Sequence, residues 1–303
     1  MNKVFVFGSI NMDLVINAPR VPNAGETLYG SQFFTNCGGK GANQAVACAK
    51  QGTETYMMGS IGNDFYGSIL KQSLKGYGVN VDHIRELDDV SSGVAMILNV
   101  DNDNRIILDG GANLADNGEG AIETIDEIAD EGDYLICQYE CDLDAVFKVL
   151  KHGKKKSMIT VLNAAPAIKY EDSIYSYVDY FIINQSESEI LSGIYPENQK
   201  ECLEVFKYFE KLGVGTTLIT MGSKGSCSNK EELIFVEAKK VAAVDTTAAG
   251  DAYIGSLVSK LSAGCDLKVA MDYATRVSAM TVMRKGAQSS IPTKFELESD
   301  FSK

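Results

Sequence analysis

Short apolar runs recur along this 303-residue chain, at residues 4–7, 55–59, 134–137, 158–162, 180–183 and 217–220. Successive strand residues point to opposite faces of a sheet, so a run that is apolar at nearly every position needs a cover on both sides. Between the runs the spacing changes. Ala42, Ala45, Val46 and Ala49, and again Ile254, Leu257, Val258 and Leu261, recur every three to four residues and predict amphipathic helices. Covered strands alternating with helices predict a doubly wound, mainly parallel α/β sheet sandwich, built as one domain over residues 1–303.

Two stretches break this rhythm, residues 13–37 and 91–110. Apolar and polar positions alternate there, and turn residues stand at Asn23-Ala24-Gly25 and Asp101-Asn102-Asp103-Asn104. Such alternation predicts strands with one open face, here a small antiparallel β-sheet projecting from the core as a lid. Its free edges and exposed apolar face invite pairing with a second copy of the chain, a homodimer through the lid.

Composition narrows the partners. The hydrophobic fraction of 45% is ample for a core and excludes a disordered chain. With 28 Lys+Arg against 41 Asp+Glu, the net charge of −13 repels nucleic acid and anionic membrane surfaces. No apolar run approaches the roughly 18 residues of a membrane span. Seven cysteines without a CxxC pair fit a reducing compartment, so a cytoplasmic protein is expected. The basic run at residues 151–156 reads as a solvated helix end or loop.

The most specific local chemistry is Asp245-Thr246-Thr247-Ala248-Ala249-Gly250-Asp251, which opens the helical pattern from Ala252. Small residues before a helix let successive backbone N–H groups face an anion, and the helix start adds partial positive charge. Asp251 sits in the first turn, as a base or merely as an acid complementing the helix dipole. A second cluster, Cys37-Gly38-Gly39-Lys40-Gly41-Ala42-Asn43, also opens a helix. It sets a cation and an amide one turn apart, beside glycines that allow close approach. Asn11 and Asp13 project to one face of an extended segment after the first strand, and Glu140 follows the strand at 134–137. Carboxylates and amides at strand carboxyl ends suit a polyhydroxylated ligand in the crevice of an open α/β sheet. Asn184 and Glu187 open another helix, either as a cap or as holders of waters around Mg²⁺. Thr220-Met221-Gly222-Ser223-Lys224-Gly225 is a glycine-rich turn suited to nucleotide phosphates. A GxxxxGK[ST] loop, a GxGxxG after a strand and HRD or DFG motifs do not occur, which removes P-loop, dinucleotide and protein-kinase readings. Two histidines, His83 and His152, make a His-based triad or zinc site improbable.

Taken in order, the segments 8–13, 38–45, 184–187 and 245–251, joined by 92–95, 110–113 and 284–288, resemble the signatures of the ribokinase branch of the pfkB sugar kinase family. The resemblance runs from the first strand to about Pro292. It implies an ATP- and Mg²⁺-dependent kinase, activated by K⁺, that phosphorylates the 5-hydroxyl of D-ribose. It implies that Asn11, Asp13, Gly39, Lys40, Asn43 and Glu140 bind the sugar, that Asp251 is the base, and that Ala248, Ala249 and Gly250 form the anion hole. Asn184, Thr220, Gly222, Ser223, Gly225, Gly250 and Thr275 would serve the nucleotide, with Asn184 and Glu187 organising Mg²⁺ through water. Oxygens of Asp245, Thr247, Thr281, Arg284, Gly286 and Ser290 would hold the monovalent cation. Gln185 and Thr247 depart from the common pattern of that branch. Another pentose, deoxyribose, a ketose or a nucleoside are the alternative acceptors on this scaffold. A non-catalytic sugar-binding regulator is disfavoured by the presence of Asp251.

Overall fold

The computed structural model describes residues 1–100, 103–230 and 232–300. In chain order its strands are β1 (Val4–Phe7), β2 (Asn11–Asn17), β3 (Ser31–Gly38), β4 (Thr55–Gly62), β5 (Ile84–Leu87), β6 (Gly93–Val100) and β7 (Asp103–Asp109). They continue with β8 (Tyr134–Gln138), β9 (Ile159–Asn163), β10 (Tyr180–Asn184), β11 (Thr216–Thr220), β12 (Ser226–Ser228) and β13 (Ile234–Val236). Nine of them form one sheet in the order β13-β12-β11-β10-β9-β8-β1-β4-β5. All neighbours are parallel except β11–β12 and β12–β13.

The apolar runs split by parity into two cores. Val4, Val6, Ile136 and Val161 face the helices Lys40–Lys50, Ala249–Ser262 and Leu267–Val282. Phe5, Phe7, Leu135 and Leu162 face Glu119–Ile128, Leu143–Lys155 and Gln199–Lys211. The six predicted strands are all present. Those missed lie at the two ends of the sheet: β5 is interrupted by Arg85 and Glu86, and β12 and β13 have three residues each. The basic run ends the Leu143–Lys155 helix, where Lys156 pairs with Asp126 and Lys154 with Asp179.

The remaining strands form the lid, in the order β3-β2-β6-β7. The antiparallel expectation holds for β2–β3 and β6–β7 and fails for the central pair, because β2 and β6 run parallel. Both enter the lid from the same rim of the large sheet, β2 after β1 and β6 after β5, so they leave in the same direction. Of the predicted turn at 101–104, Asp101 and Asn102 lie outside the described residues. Phe33, Met96, Ile106 and Ile107 stand exposed on the lid.

Candidate active site

The chain spreads outward from β1 in both directions, to β4 on one side and β8 on the other. Loops leaving neighbouring strands at such a switch point diverge and open a crevice at the carboxyl ends. Here the crevice is lined by the segment after β1, the loop after β8 and the start of the Lys40–Lys50 helix. Glu140 gathers them: its Oε2 accepts from Ser9 Oγ at 2.6 Å and from the Lys40 amide at 3.2 Å, and Lys40 Nζ lies 3.7 Å from Oε1. Asn113 donates to Asn11 Oδ1 at 2.7 Å and accepts from the Ile10 amide at 2.9 Å, which fixes the base of the lid strand β2. Gly39 caps the helix at φ +91°, and a Cβ there would stand 2.6 Å from the Ser9 carbonyl oxygen. A Cβ on Gly38 would stand 2.4 Å from Asp13 Oδ2, so both glycines make room that the site uses.

Asp251 enters from the Ala249–Ser262 helix. Gly255 lets that helix lie tight on Lys40–Lys50, since a Cβ at this position would meet Ala47 Cβ and Gln44 O at 2.5 Å. Close packing brings Asn43 Nδ2 to Asp251 Oδ2 at 3.0 Å and Gln44 Nε2 to Asp251 Oδ1 at 2.9 Å. Asn43 Oδ1 is buried without a partner. The helix begins at Ala248, whose φ of +58° is left-handed and whose side chain can cap nothing. The first-turn amides therefore lack a side-chain acceptor and suit an anion.

Three carboxylates, Glu140, Glu187 and Asp251, share Lys40 as their near cation. Burial, with Glu140 and Asp251 adding repulsion, pushes Asp13 up to about 7. Burial also raises Asp251, against the opposing pull of Lys40 and of the amides of Asn43 and Gln44. Burial raises Glu187 as well. For Lys40 burial is the largest single effect and favours the neutral amine, but Asp251, Glu140 and Glu187 together outweigh it and its pKa is raised.

Two cavities meet here. One of about 1070 Å³ lies between lid and core and is lined by Asp13, Asn36, Asp245, Thr247 and Gly286 among others. The second, of about 510 Å³, is lined by Thr220, Gly222, Ser223, Gly225, Gly250 and Thr275, all residues expected at a nucleotide, together with Tyr253 and Val282, whereas Asn184, expected with them, is not part of its lining. Ala243 and Thr246 line both, so the loop leading to Asp251 is their common wall.

Asn184 and Glu187 close a capping box, each side chain accepting from the other's backbone amide at 2.8 Å. Asn184 Oδ1 is thereby engaged, while Glu187 stays close enough to Lys40 and Asp251 to feel both. Asp245 binds the amides of Thr247 at 2.9 Å and Gly286 at 3.0 Å, stitching the loop before Asp251 to the segment at 284–290. Those hydrogen bonds outweigh its burial and hold its carboxyl below the usual range. Arg284 turns away to Glu296 at 2.9 Å, and the hydroxyls of Thr281 and Ser290 bond Val277 O and Ala287 O. Among the described residues no cluster of three His, Cys, Asp or Glu side chains is built for a metal. The oxygens near Asp245 are of the hard type that suits an alkali cation rather than zinc. The residues that escaped notice as site members are Ser9, Asn113, Gln44 and Gln138; the visible signal for Gln138 was an amide at the end of a buried apolar strand.

The model of the pfkB family carbohydrate kinases matches residues 1–294. A ribokinase of Schizosaccharomyces pombe is 38% identical over 315 aligned positions, covering 100% of this chain and 98% of its own length. A deoxyribokinase of Salmonella typhimurium is 33% identical, with 96% of this chain and 95% of its own covered. The structure of Arabidopsis thaliana ribokinase complexed with ribose and ATP superimposes with a TM-score of 0.92 at 28% identity, covering 98% of each chain. Family model, relatives and fold agree over almost the full length, and the chain belongs to the pfkB family of carbohydrate kinases.

Proposed function

We propose that this chain transfers the γ-phosphoryl group of ATP to the 5-hydroxyl of D-ribose, giving D-ribose 5-phosphate. The observation that carries the proposal is the position of Asp251, hydrogen-bonded to Asn43 at the end of the loop that divides the two cavities. Sugar on one side and nucleotide on the other would meet over its carboxylate. Asn11, Asp13, Gly39, Lys40, Asn43 and Glu140 supply the hydroxyl partners, and Asn43 Oδ1 is already short of a donor. Asp251 accepts the proton of the attacking hydroxyl, while the amides of Ala248, Ala249 and Gly250 take up charge that spreads over the transferred group.

Glu187, with Asn184 beside it, is placed to hold water around Mg²⁺, and Thr220, Gly222, Ser223, Gly225, Gly250 and Thr275 line the nucleotide cleft. Mg²⁺, when bound, supplies charge neutralisation on the phosphate oxygens. Oxygens of Asp245, Thr247, Thr281, Arg284, Gly286 and Ser290 would hold K⁺ and so order the loop before Asp251, with Arg284 contributing its carbonyl because its guanidinium faces Glu296. The chain works as a single domain whose lid closes over the sugar and excludes water. The exposed Phe33, Met96, Ile106 and Ile107 pair it with a second copy. A cytoplasmic setting agrees with seven free cysteines. None of the described helices is long and apolar enough to cross a membrane.

Steady-state phosphorylation of ribose, 2-deoxyribose and hexoses by wild type and Asp251→Asn tests this. A site that pairs buried polar groups with hydroxyls discriminates against an analogue lacking one, so kcat/KM is expected to be highest for ribose. Asp251→Asn should lower kcat about 10²- to 10⁴-fold in a folded protein. The deoxyribokinase among the relatives makes 2-deoxyribose the rival acceptor, and its equal or better use would defeat the assignment of ribose.

A further inference from the structure

Behind Asp251 lies a row of buried amides that the reaction as described does not use. Gln44 is fully buried in the first turns of the Lys40–Lys50 helix, and Gln138, also fully buried, ends β8. Asn163, at the end of β9, is the cross-strand partner of Gln138. Gln44 Nε2 donates to Asp251 Oδ1 at 2.9 Å and to Asn163 Oδ1 at 3.2 Å. Gln138 Nε2 donates to Gln44 Oε1 at 2.8 Å, and Asn163 Nδ2 donates to the Ile182 carbonyl at 3.0 Å.

The direction of every amide in this row follows from its neighbour. An ionised carboxylate only accepts, so Asp251 requires the NH₂ end of Gln44. The oxygen end of Gln44 then requires a donor, which Gln138 provides. Asn163, committed by its NH₂ to Ile182, can show Gln44 only its oxygen. The chain ends at Gln138 Oε1, which is buried with no partner. Its crowding explains Gly8, where a Cβ would fall 1.9 Å from that oxygen. A buried acceptor left unpaired costs free energy and calls for a reason. The reason available here is orientation: turning Gln138 round would satisfy its oxygen and present Gln44 Oε1 to Asp251, acceptor against acceptor.

We propose that Gln44, oriented by Gln138 and Asn163, is the positioning residue of Asp251, holding Oδ1 so that Oδ2 faces the acceptor hydroxyl. The proposal rests on the reading of Asp251 as the base. In the free enzyme Oδ2 is held by Asn43, which also belongs to the sugar site, so a bound sugar can take Asn43 away while Gln44 stays. The charged groups that face Asp251 are Lys40 at its helix start, Glu140 after β8, Glu187 and Asp13 on β2. Each is shared with the substrates, whereas the amide row belongs to Asp251 alone.

The test compares kcat, KM and the pH profile of Gln44→Met, Gln138→Met and Asp251→Asn with wild type, with thermal unfolding of each. Losing one hydrogen bond to a carboxylate favours its protonated form. Gln44→Met should therefore lower kcat about 10-fold and move its acid limb up by about one pH unit, with both KM values within about 2-fold of wild type. Gln138→Met should move kcat and the limb the same way by less, although its side chain is fully buried and lies behind Gln44. A structural role alone would lower the melting temperature and leave the limb in place. If Asp251→Asn is inactive while both methionine variants keep the wild-type kcat and acid limb, the positioning role is overturned and the base stands. If Asp251→Asn is nearly normal, the base is wrong and the positioning role falls with it. Should Gln44→Met not fold, Gln138→Met decides, since it exchanges a half-satisfied amide for an apolar chain of similar length.

Discussion

Replacing Asp13 by Asn should stabilise the free enzyme at pH 8 while disabling it. Asp13 is 8% exposed, and burial together with Glu140 and Asp251 places its pKa at about 7, against a reference value of 3.8. The folded form thus holds a proton that the unfolded chain releases between about pH 4 and pH 7. Stability then rises as pH falls through this window, and the penalty for ionising Asp13 is complete above the folded value. At about 1.4 kcal/mol per pH unit, the displacement sets a ceiling of about 4 kcal/mol at pH 8. A cleft that opens to solvent has a high effective dielectric, and about 1–2 kcal/mol of this should be realised. For a chain of 303 residues that corresponds to roughly 1.5–3 °C in melting temperature. The assay is thermal unfolding of wild type and Asp13→Asn without sugar or nucleotide, at pH 8 and pH 5. The variant should lead clearly at pH 8 and much less at pH 5. A gap that is the same at both pH values, or a variant that melts below wild type at pH 8, would refute the reasoning.

In the proposed sugar site Asp13 accepts hydroxyls best when ionised, so the Kd for ribose measured by calorimetry should rise as pH falls from 8 to 6, and a constant Kd would remove Asp13 from the proposed sugar contacts. Rates in K⁺ buffer should exceed those in a large organic cation at matched ionic strength, through ordering of the Asp245–Gly286 stitch; coincident rates would dispose of the cation site. On the lid, Ile107 is 73% exposed. Ile107→Asp should turn a dimer seen by analytical ultracentrifugation into a monomer with little change in melting temperature, and a wild type that is already monomeric at micromolar concentration speaks against pairing through this face.

Much of this was legible in the chain because the physics is local. An apolar run such as Val4–Phe7 has to be covered on both sides, and the small residues before Asp251 announce an open helix start. What stayed hidden depends on partners far away in sequence. The parallel pairing of β2 with β6 follows from where each leaves the large sheet, which no alternation of polarity reveals. Asn184 and Glu187 read equally as a cap and as holders of a hydrated cation, because an acceptor three residues ahead of a carboxylate serves both; the structure closes the capping box. Gln138 carries one polar side chain at the end of the run YLICQ, and its use appears only when Gln44, 94 residues earlier, comes within 2.8 Å.

The crowding of carboxylates around Lys40 has a chemical logic. A base that takes a proton from an alcohol in the transition state works best with a pKa raised toward the operating pH yet still ionised there. Burial raises the pKa of Asp251. Lys40, Asn43 and Gln44 pull it back, by charge in the first case and by hydrogen bonds in the other two. Of these, Lys40 and Asn43 are also expected to serve the sugar, so their hold on Asp251 changes as the substrate arrives. Gln44 is fully buried and is tied to Gln138 and Asn163. It is the one restraint on Asp251 that the arrival of substrate leaves unchanged, which is why the row of amides matters to a reaction it does not touch.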